Sequence, residues 1–302
     1  MPGNAAQSMI AHMRGGQVSP AELRAMKIAF GITQNRNVIS EYFTYMANMV
    51  RGRFGISILF FPVPVKQIVM SALPWTIGLI GITTVIAFVL GTLLGVIAAW
   101  HRGGLTDSVV LPASLVVSAF PYFWLGLVVI YFFAVAVVWF PSGFAYDVSS
   151  GQTPSLSFWF AGQVVYHGIL PGATIVLVSV GGWLLLMRNN MLSTLSEDYV
   201  RMGRAKGLSS WRVMTRYAAR NAILPSMTGF ALAMGFVISG ALLTEVVFNY
   251  PGLGYLLYQA VTSQDYPLMQ AIFFMITVAV LCAVLVADIA NAVLDPRSRE
   301  SR

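Results

Sequence analysis

Five apolar windows decide what this chain can fold into: residues 75–99, 118–138, 169–191, 226–248 and 268–294. A helix needs about 20 predominantly apolar residues to cross a hydrocarbon core, and each window supplies them. Only 10% of the 302 residues are charged, against roughly 25% in a soluble domain. The reading is an all-α integral membrane protein with about five transmembrane helices. Apolar character before the second window begins near Val109, so residues 109–120 read as a tilted lead-in that Pro112 or Pro121 breaks. Trp75, Trp100 and Trp139 stand at window edges, where aromatic rings favour the interface. The net charge of +7 does not indicate nucleic acid, because the basic residues cluster between apolar spans instead of covering a soluble face. The single cysteine, Cys282, lies in an apolar run and offers neither a disulfide nor a metal site.

Orientation follows from the connections. Residues 139–168 and 249–267 contain no Lys or Arg, whereas the alternate connections and the C-terminus carry the basic residues. By the positive-inside rule, the basic connections and the C-terminus are cytoplasmic. Residues 1–71 then fall outside, although they hold seven basic residues and no apolar signal. The economical expectation is a preceding transmembrane helix missing from this sequence; the alternative is a five-span protein whose N-terminus crosses after insertion. Within this external segment, Ser19-Pro20-Ala21-Glu22 reads as a capped helix start running to about Phe30, and residues 38–50 form a second amphipathic stretch ending at Gly52. Residues 72–302 form the transmembrane domain.

Six basic residues, Arg201, Arg204, Lys206, Arg212, Arg216 and Arg220, crowd into the connection 197–225. Glu197 and Asp198 open it, where a helix dipole favours acids. Gly207 fits a helix end with positive φ, and Ser209 or Ser210 can cap a second helix near Trp211. There Arg212, Arg216 and Arg220 share one face while Val213, Met214 and Tyr217 form an apolar side. Pro225 is expected to open the next span. This describes a helix–glycine–helix hairpin on the cytoplasmic surface, a docking surface in preference to a plain basic loop held against anionic headgroups.

The stretch "YVRMGRAKGLSSWRVMTRYAARNAILP" at 199–225 resembles the cytoplasmic EAA-type loop of ABC importer permeases, specifically those for dipeptide, oligopeptide and nickel uptake. Also similar to family segments are "FNYPGLGYLLYQAV" at 248–261, "DYPLMQA" at 265–271, "VADIANAVLDPRSR" at 286–299, "PYFWLGL" at 121–127 and "GRFGISI" at 52–58. "PGNAA" at 2–6 looks like the end of the family's first external motif, which usually follows an N-terminal transmembrane helix; Asn4 stands where an aspartate is usual. The shorter family pattern often has proline at the place of Arg220, so Pro225 is expected to restart the helix instead. The resemblance implies six spans, a type I permease fold and a plasma-membrane location in a bacterium or archaeon. It implies a coupling helix centred on Ala205, Lys206, Gly207 and Leu208, with Arg204 and Arg212 at its rim, docked on a separate ATPase. The implied partners are a second homologous permease, two ATP-binding subunits and an external solute-binding protein, with no cofactor in this chain. Pro251, Gly252 and Gly254 would form a tight external loop near the gate. No G-x-x-x-x-G-K-[ST] phosphate loop occurs, so the chain is not read as an ATPase.

Glu245 and Asp288 lie in or near spans, where an acid costs about 2.5–3.5 kcal/mol unless partnered. Each is a possible pore or interface residue: it serves solute passage or a proton relay, or it hydrogen-bonds to backbone or a partner subunit, the second being favoured. Arg188 reads as an interface anchor before a solute ligand. His101 and His167 have no metal-ligand spacing around them. A secondary transporter working alone would show inverted repeats, and none is visible; a membrane scaffold would tolerate replacement of Gly207. Peptides come first as solute, with nickel complexes or oligosaccharides as alternatives.

Overall fold

Ten helices can be followed in the computed structural model, which describes residues 38–294 apart from 152, 156 and 239–241. The expected helix at 19–30, the "PGNAA" segment, the terminal arginines and the side chain of Asp288 lie outside the described residues. Helix α1 (Val38–Val50) matches the second amphipathic stretch, and Gly52 follows it at φ 69°.

Helix α2 (Val65–Trp100) starts ten residues before the apolar window and runs through position 72, so the external segment and the first span share one helix. Pro64 supplies the extended backbone at its start. Pro74 lies inside; its missing N–H removes one rung of the ladder, and a π-helical turn (Ile77–Gly81) follows without breaking the helix. Trp75 thus lies within the helix and not at its start. It packs near Tyr146 at 5.8 Å and Tyr250 at 6.1 Å.

Helices α3 (Thr106–Ser118) and α4 (Tyr122–Ala136) are bent by 101° at Ala119–Pro121. Pro112 sits in the first turn of its α-helical part and is harmless there, whereas Pro121 cannot continue the hydrogen-bond ladder and disfavours helical backbone at Phe120. Helix α5 (Phe158–Leu195) begins eleven residues before the third window, capped by Ser157, and includes Pro171. Its seam with α2 is the most extensive in the molecule. That seam depends on two glycines one helical turn apart. A Cβ on Gly91 would stand 2.5 Å from Trp183 Cβ, and one on Gly95 would stand 2.7 Å from the Leu184 carbonyl. Backbones approach closely there because no side chain intervenes.

Helix α6 (Asp198–Ala205) leads through Gly207 into α7, which spans residues 210–235 with a π-helical segment (Val213–Ala219). A 3-10 turn (Phe236–Ile238) and α8 (Leu242–Val247) follow, so the window 226–248 is not one continuous helix. Helix α9 (Leu253–Thr262) lies outside the windows, and α10 (Tyr266–Leu294) is the last span. Among the described residues, α2, α5 and α10 are each long and apolar enough to cross a membrane, and the bent pair α3–α4 supplies a fourth candidate.

The two connections without basic residues meet on one side. The Phe144 N–H donates to the Phe248 carbonyl at 2.8 Å, and His167 Nδ1 lies 3.0 Å from the Gly143 carbonyl. At the other end of α2 and α5, Arg204 lies 5.4 Å over the Trp100 ring, and Arg188 Nε donates to Asp107 Oδ1. Arg188 is thus half-buried in an ion pair within the chain.

Candidate functional site

Hydrogen bonds at the end of α6 fix its turn. Lys206 caps the helix, the Gly207 N–H donates to the Arg204 carbonyl at 3.0 Å, and the Leu208 N–H donates to the Gly203 carbonyl at 3.4 Å. With Gly207 at φ 72°, this is a Schellman termination that satisfies the last carbonyls. Ser209 takes the extended N-cap backbone of α7, and its side chain makes no capping bond. Below the turn, Val200 and Val213 are buried, while Met214, Ala218 and Ala222 pack against Met187, Met191 and Ala99. Above it, Arg204, Ala205, Lys206, Gly207 and Arg212 are exposed and Leu208 is half-buried. The apolar floor joins the turn to the ends of α2 and α5.

Pro225 does not restart a helix. It lies inside α7, which is already helical from 210, with Arg212, Arg216 and Arg220 all exposed. The wider π-helical segment precedes it, and Asn221 Nδ2 donates to the Tyr217 carbonyl at 3.1 Å one turn ahead of the proline. The second arm of the hairpin and the first ten residues of the window 226–248 therefore belong to one helix.

At the opposite end, Glu245 on α8 is fully buried and holds the loop of Pro251, Gly252 and Gly254. Its Oε1 accepts from Thr76 Oγ1 at 2.8 Å, and its Oε2 accepts from the Gly254 N–H at 2.6 Å and the Tyr255 N–H at 3.4 Å. Thr76 also accepts from the Leu253 N–H at 2.7 Å. The carboxylate and the hydroxyl together satisfy the opening amides of α9, which a helix leaves unpaired. Gly252 is required by the carboxylate, since a Cβ there would fall 2.3 Å from its oxygens. Tyr250, buried beside it, has its phenol pushed up in pKa by burial first and by the Glu245 charge second, so it stays protonated.

A second buried carboxylate went unnoticed in the sequence. Asp265 caps α10 by accepting from the Leu268 N–H at 3.1 Å, and its other oxygen accepts from Ser57 Oγ and from the N–H groups of Ile58 (2.8 Å) and Leu59 (3.0 Å). The segments "GRFGISI" and "DYPLMQA", 207 residues apart at Ile58 and Asp265, are thereby joined. Aspartate before Tyr-Pro is a legible helix start; its distant partner is not. No group of three or more His, Cys, Asp or Glu that could hold a metal occurs among the described residues.

Residues 91–300 match the family described as the inner membrane component of binding-protein-dependent transport systems. The chain is 34% identical over 259 residues to a probable peptide ABC transporter permease protein of Sinorhizobium fredii, covering 86% of this chain and 80% of that one. It is 33% identical over 285 residues to the oligopeptide transport system permease protein AppB of Bacillus subtilis, covering 94% and 87%. It is also 33% identical over 279 residues to the di/tripeptide transport system permease protein DppB of Pseudomonas aeruginosa, covering 89% and 83%. A capped basic hairpin seated on two spans, a loop at the opposite end clasped by a buried acid, and these matches over most of the chain agree: this multi-pass membrane protein belongs to the family of binding-protein-dependent transport system inner membrane components, the permease subunits of ABC importers.

Proposed function

We propose that this chain forms half of a pore that imports peptides, paired with a second homologous permease, driven by two ATP-binding subunits and loaded by an external solute-binding protein. The peptide assignment rests on the relatives' own solutes, and the paired pore on the family's general arrangement. The hairpin is the coupling element. The observation that carries this role is the exposed turn Arg204–Leu208, held rigid by its Schellman bonds above a buried floor shared with α2 and α5. Ala205, Lys206 and Gly207 enter the ATPase groove, with Arg204 and Arg212 at its rim. The hairpin and C-terminus face the cytoplasmic side of the plasma membrane in this reading, which the basic connections support by the positive-inside rule.

Gly207 provides the test. Nothing in the chain lies within 4 Å of a Cβ built there, so a side chain meets only the partner. Leu strains the positive φ by about 1–2 kcal/mol, whereas Asn tolerates that backbone but still adds bulk. Gly207→Leu and Gly207→Asn should both accumulate in the membrane and lose ATPase co-purification or solute-stimulated hydrolysis. Loss in Leu alone would assign the defect to backbone strain. Normal hydrolysis in both would mean that the hairpin is only a topogenic loop. Uptake of labelled di- and tripeptides by cells carrying the whole system checks the solute.

A further inference from the structure

Two departures from regular α-helix border one cleft. The bend between α3 and α4 contributes Tyr122 and Phe123, the 3-10 turn after α7 contributes Phe236, and α8 contributes Thr244. Thr84 of α2 and Ser179 and Trp183 of α5 complete a cavity of about 660 Å³. Backbone breaks facing lipid leave peptide groups unsatisfied at several kcal/mol each, so they occur only where protein or a water-filled path covers them. The cleft is therefore a protein-lined or wet surface and not a lipid face.

Its chemistry is narrow. No described residue lining it carries a charge. Tyr122 and Ser179 place their hydroxyls 3.2 Å apart, and the Thr244 hydroxyl is fully buried with no hydrogen-bond partner among the described residues. A buried orphan hydroxyl costs about 1–3 kcal/mol and calls for a reason. Around these few polar atoms stand the rings of Tyr122, Phe123, Trp183 and Phe236. A metal complex finds no carboxylate or imidazole here, and an oligosaccharide would leave most of its hydroxyls unpaired. A peptide spaces its amides between side chains, which suits sparse hydroxyls set among aromatic rings.

We propose that this cleft is where the passing solute touches the chain inside the membrane, and that it accepts uncharged peptide backbone with apolar or aromatic side chains. The Tyr122–Ser179 pair meets the amides, and the proposal rests on the peptide-import reading above. The test uses the whole complex in proteoliposomes, with photoreactive benzoylphenylalanine in place of Phe123 or Phe236. Leu281, exposed on α10 and away from this cleft, is the comparison position. During ATP turnover, a labelled tripeptide with one Phe should attach at 123 and 236 at least about tenfold more than at 281. Unlabelled neutral peptide should compete, whereas a nickel chelate and a trisaccharide should not. Tyr122→Phe and Ser179→Ala should each lower capture about three- to tenfold at unchanged abundance, the fold-change of one lost hydrogen bond. Equal capture at all three positions, or capture indifferent to both substitutions while peptide uptake proceeds, overturns the cleft and leaves peptide import standing. Failure of the unmodified complex to take up any peptide overturns both.

Discussion

Two buried carboxylates at the end of the molecule away from the hairpin differ in what their partners can do, and amide substitution separates them. Glu245 faces a hydroxyl on one oxygen and backbone amides on the other. In Glu245→Gln the new NH2 can donate to Thr76 Oγ1 while the remaining oxygen keeps the Gly254 and Tyr255 amides, so the cost should stay below about 1 kcal/mol. Glu245→Ala strands all of these donors and should cost about 3 kcal/mol or more. Asp265 faces N–H donors on both oxygens. An N–H cannot reverse its role, so either rotamer of Asp265→Asn sets donor against donor, at about 1–3 kcal/mol. Thermal midpoints of the detergent-solubilised protein should rank Glu245→Gln near the unmodified chain, Asp265→Asn clearly lower and Glu245→Ala lowest. A large loss in Glu245→Gln would mean that the charge itself is needed there.

At the scale of elements, the α2–α5 seam dictates which glycines matter. Gly91 and Gly95 have no room for a Cβ, whereas Gly78 and Gly182 have nothing within 4 Å. Gly91→Val or Gly95→Val must separate the two longest helices and should remove most of the membrane-inserted, folded protein. Gly182→Ala should be neutral or stabilising by about 0.5–1 kcal/mol, because alanine favours the helix. Gly229 is a poorer contrast, since a Cβ there would meet the Trp183 ring at an ordinary 3.5 Å. Fluorescence size-exclusion yield of the variants measures this order. Equal yields for Gly91→Val and Gly182→Ala would show that the seam is looser than drawn.

For the whole molecule, topology and incompleteness are the testable properties. With Cys282 replaced by Ala, Ser155→Cys should react with a membrane-impermeant maleimide added outside intact cells. Ser209→Cys, exposed beside the hairpin turn, should react only after the membrane is opened. The reverse pattern would invert the positive-inside assignment. Side chains such as Phe273, Leu281 and Leu285 on α10 are exposed in the single chain and need lipid or another subunit against them. The purified chain alone should neither hydrolyse ATP nor drive peptide uptake in liposomes, and both activities should appear when the second permease, the ATPase subunits and the solute-binding protein are added.

Local chemistry was readable from the residues in order. Window length announced the spanning helices α2, α5 and α10, a glycine after a short acidic-to-basic helix announced the positive-φ turn at Gly207, and Val213 and Met214 announced the buried side of the hairpin. Each depends on neighbours within one or two helical turns, and spacing along the chain encodes those. Proline was the exception even locally, because Pro74, Pro171 and Pro225 break helices in water but are carried inside long helices here by π-turns and packing. Tertiary structure alone decided that Thr76 serves Glu245 across 169 residues and Ser57 serves Asp265 across 208. It alone decided that the bend at Pro121 and the 3-10 turn after Gly235 border one cleft. The physical reason is that a buried carboxylate needs several donors at once, and no short segment can place them all around it.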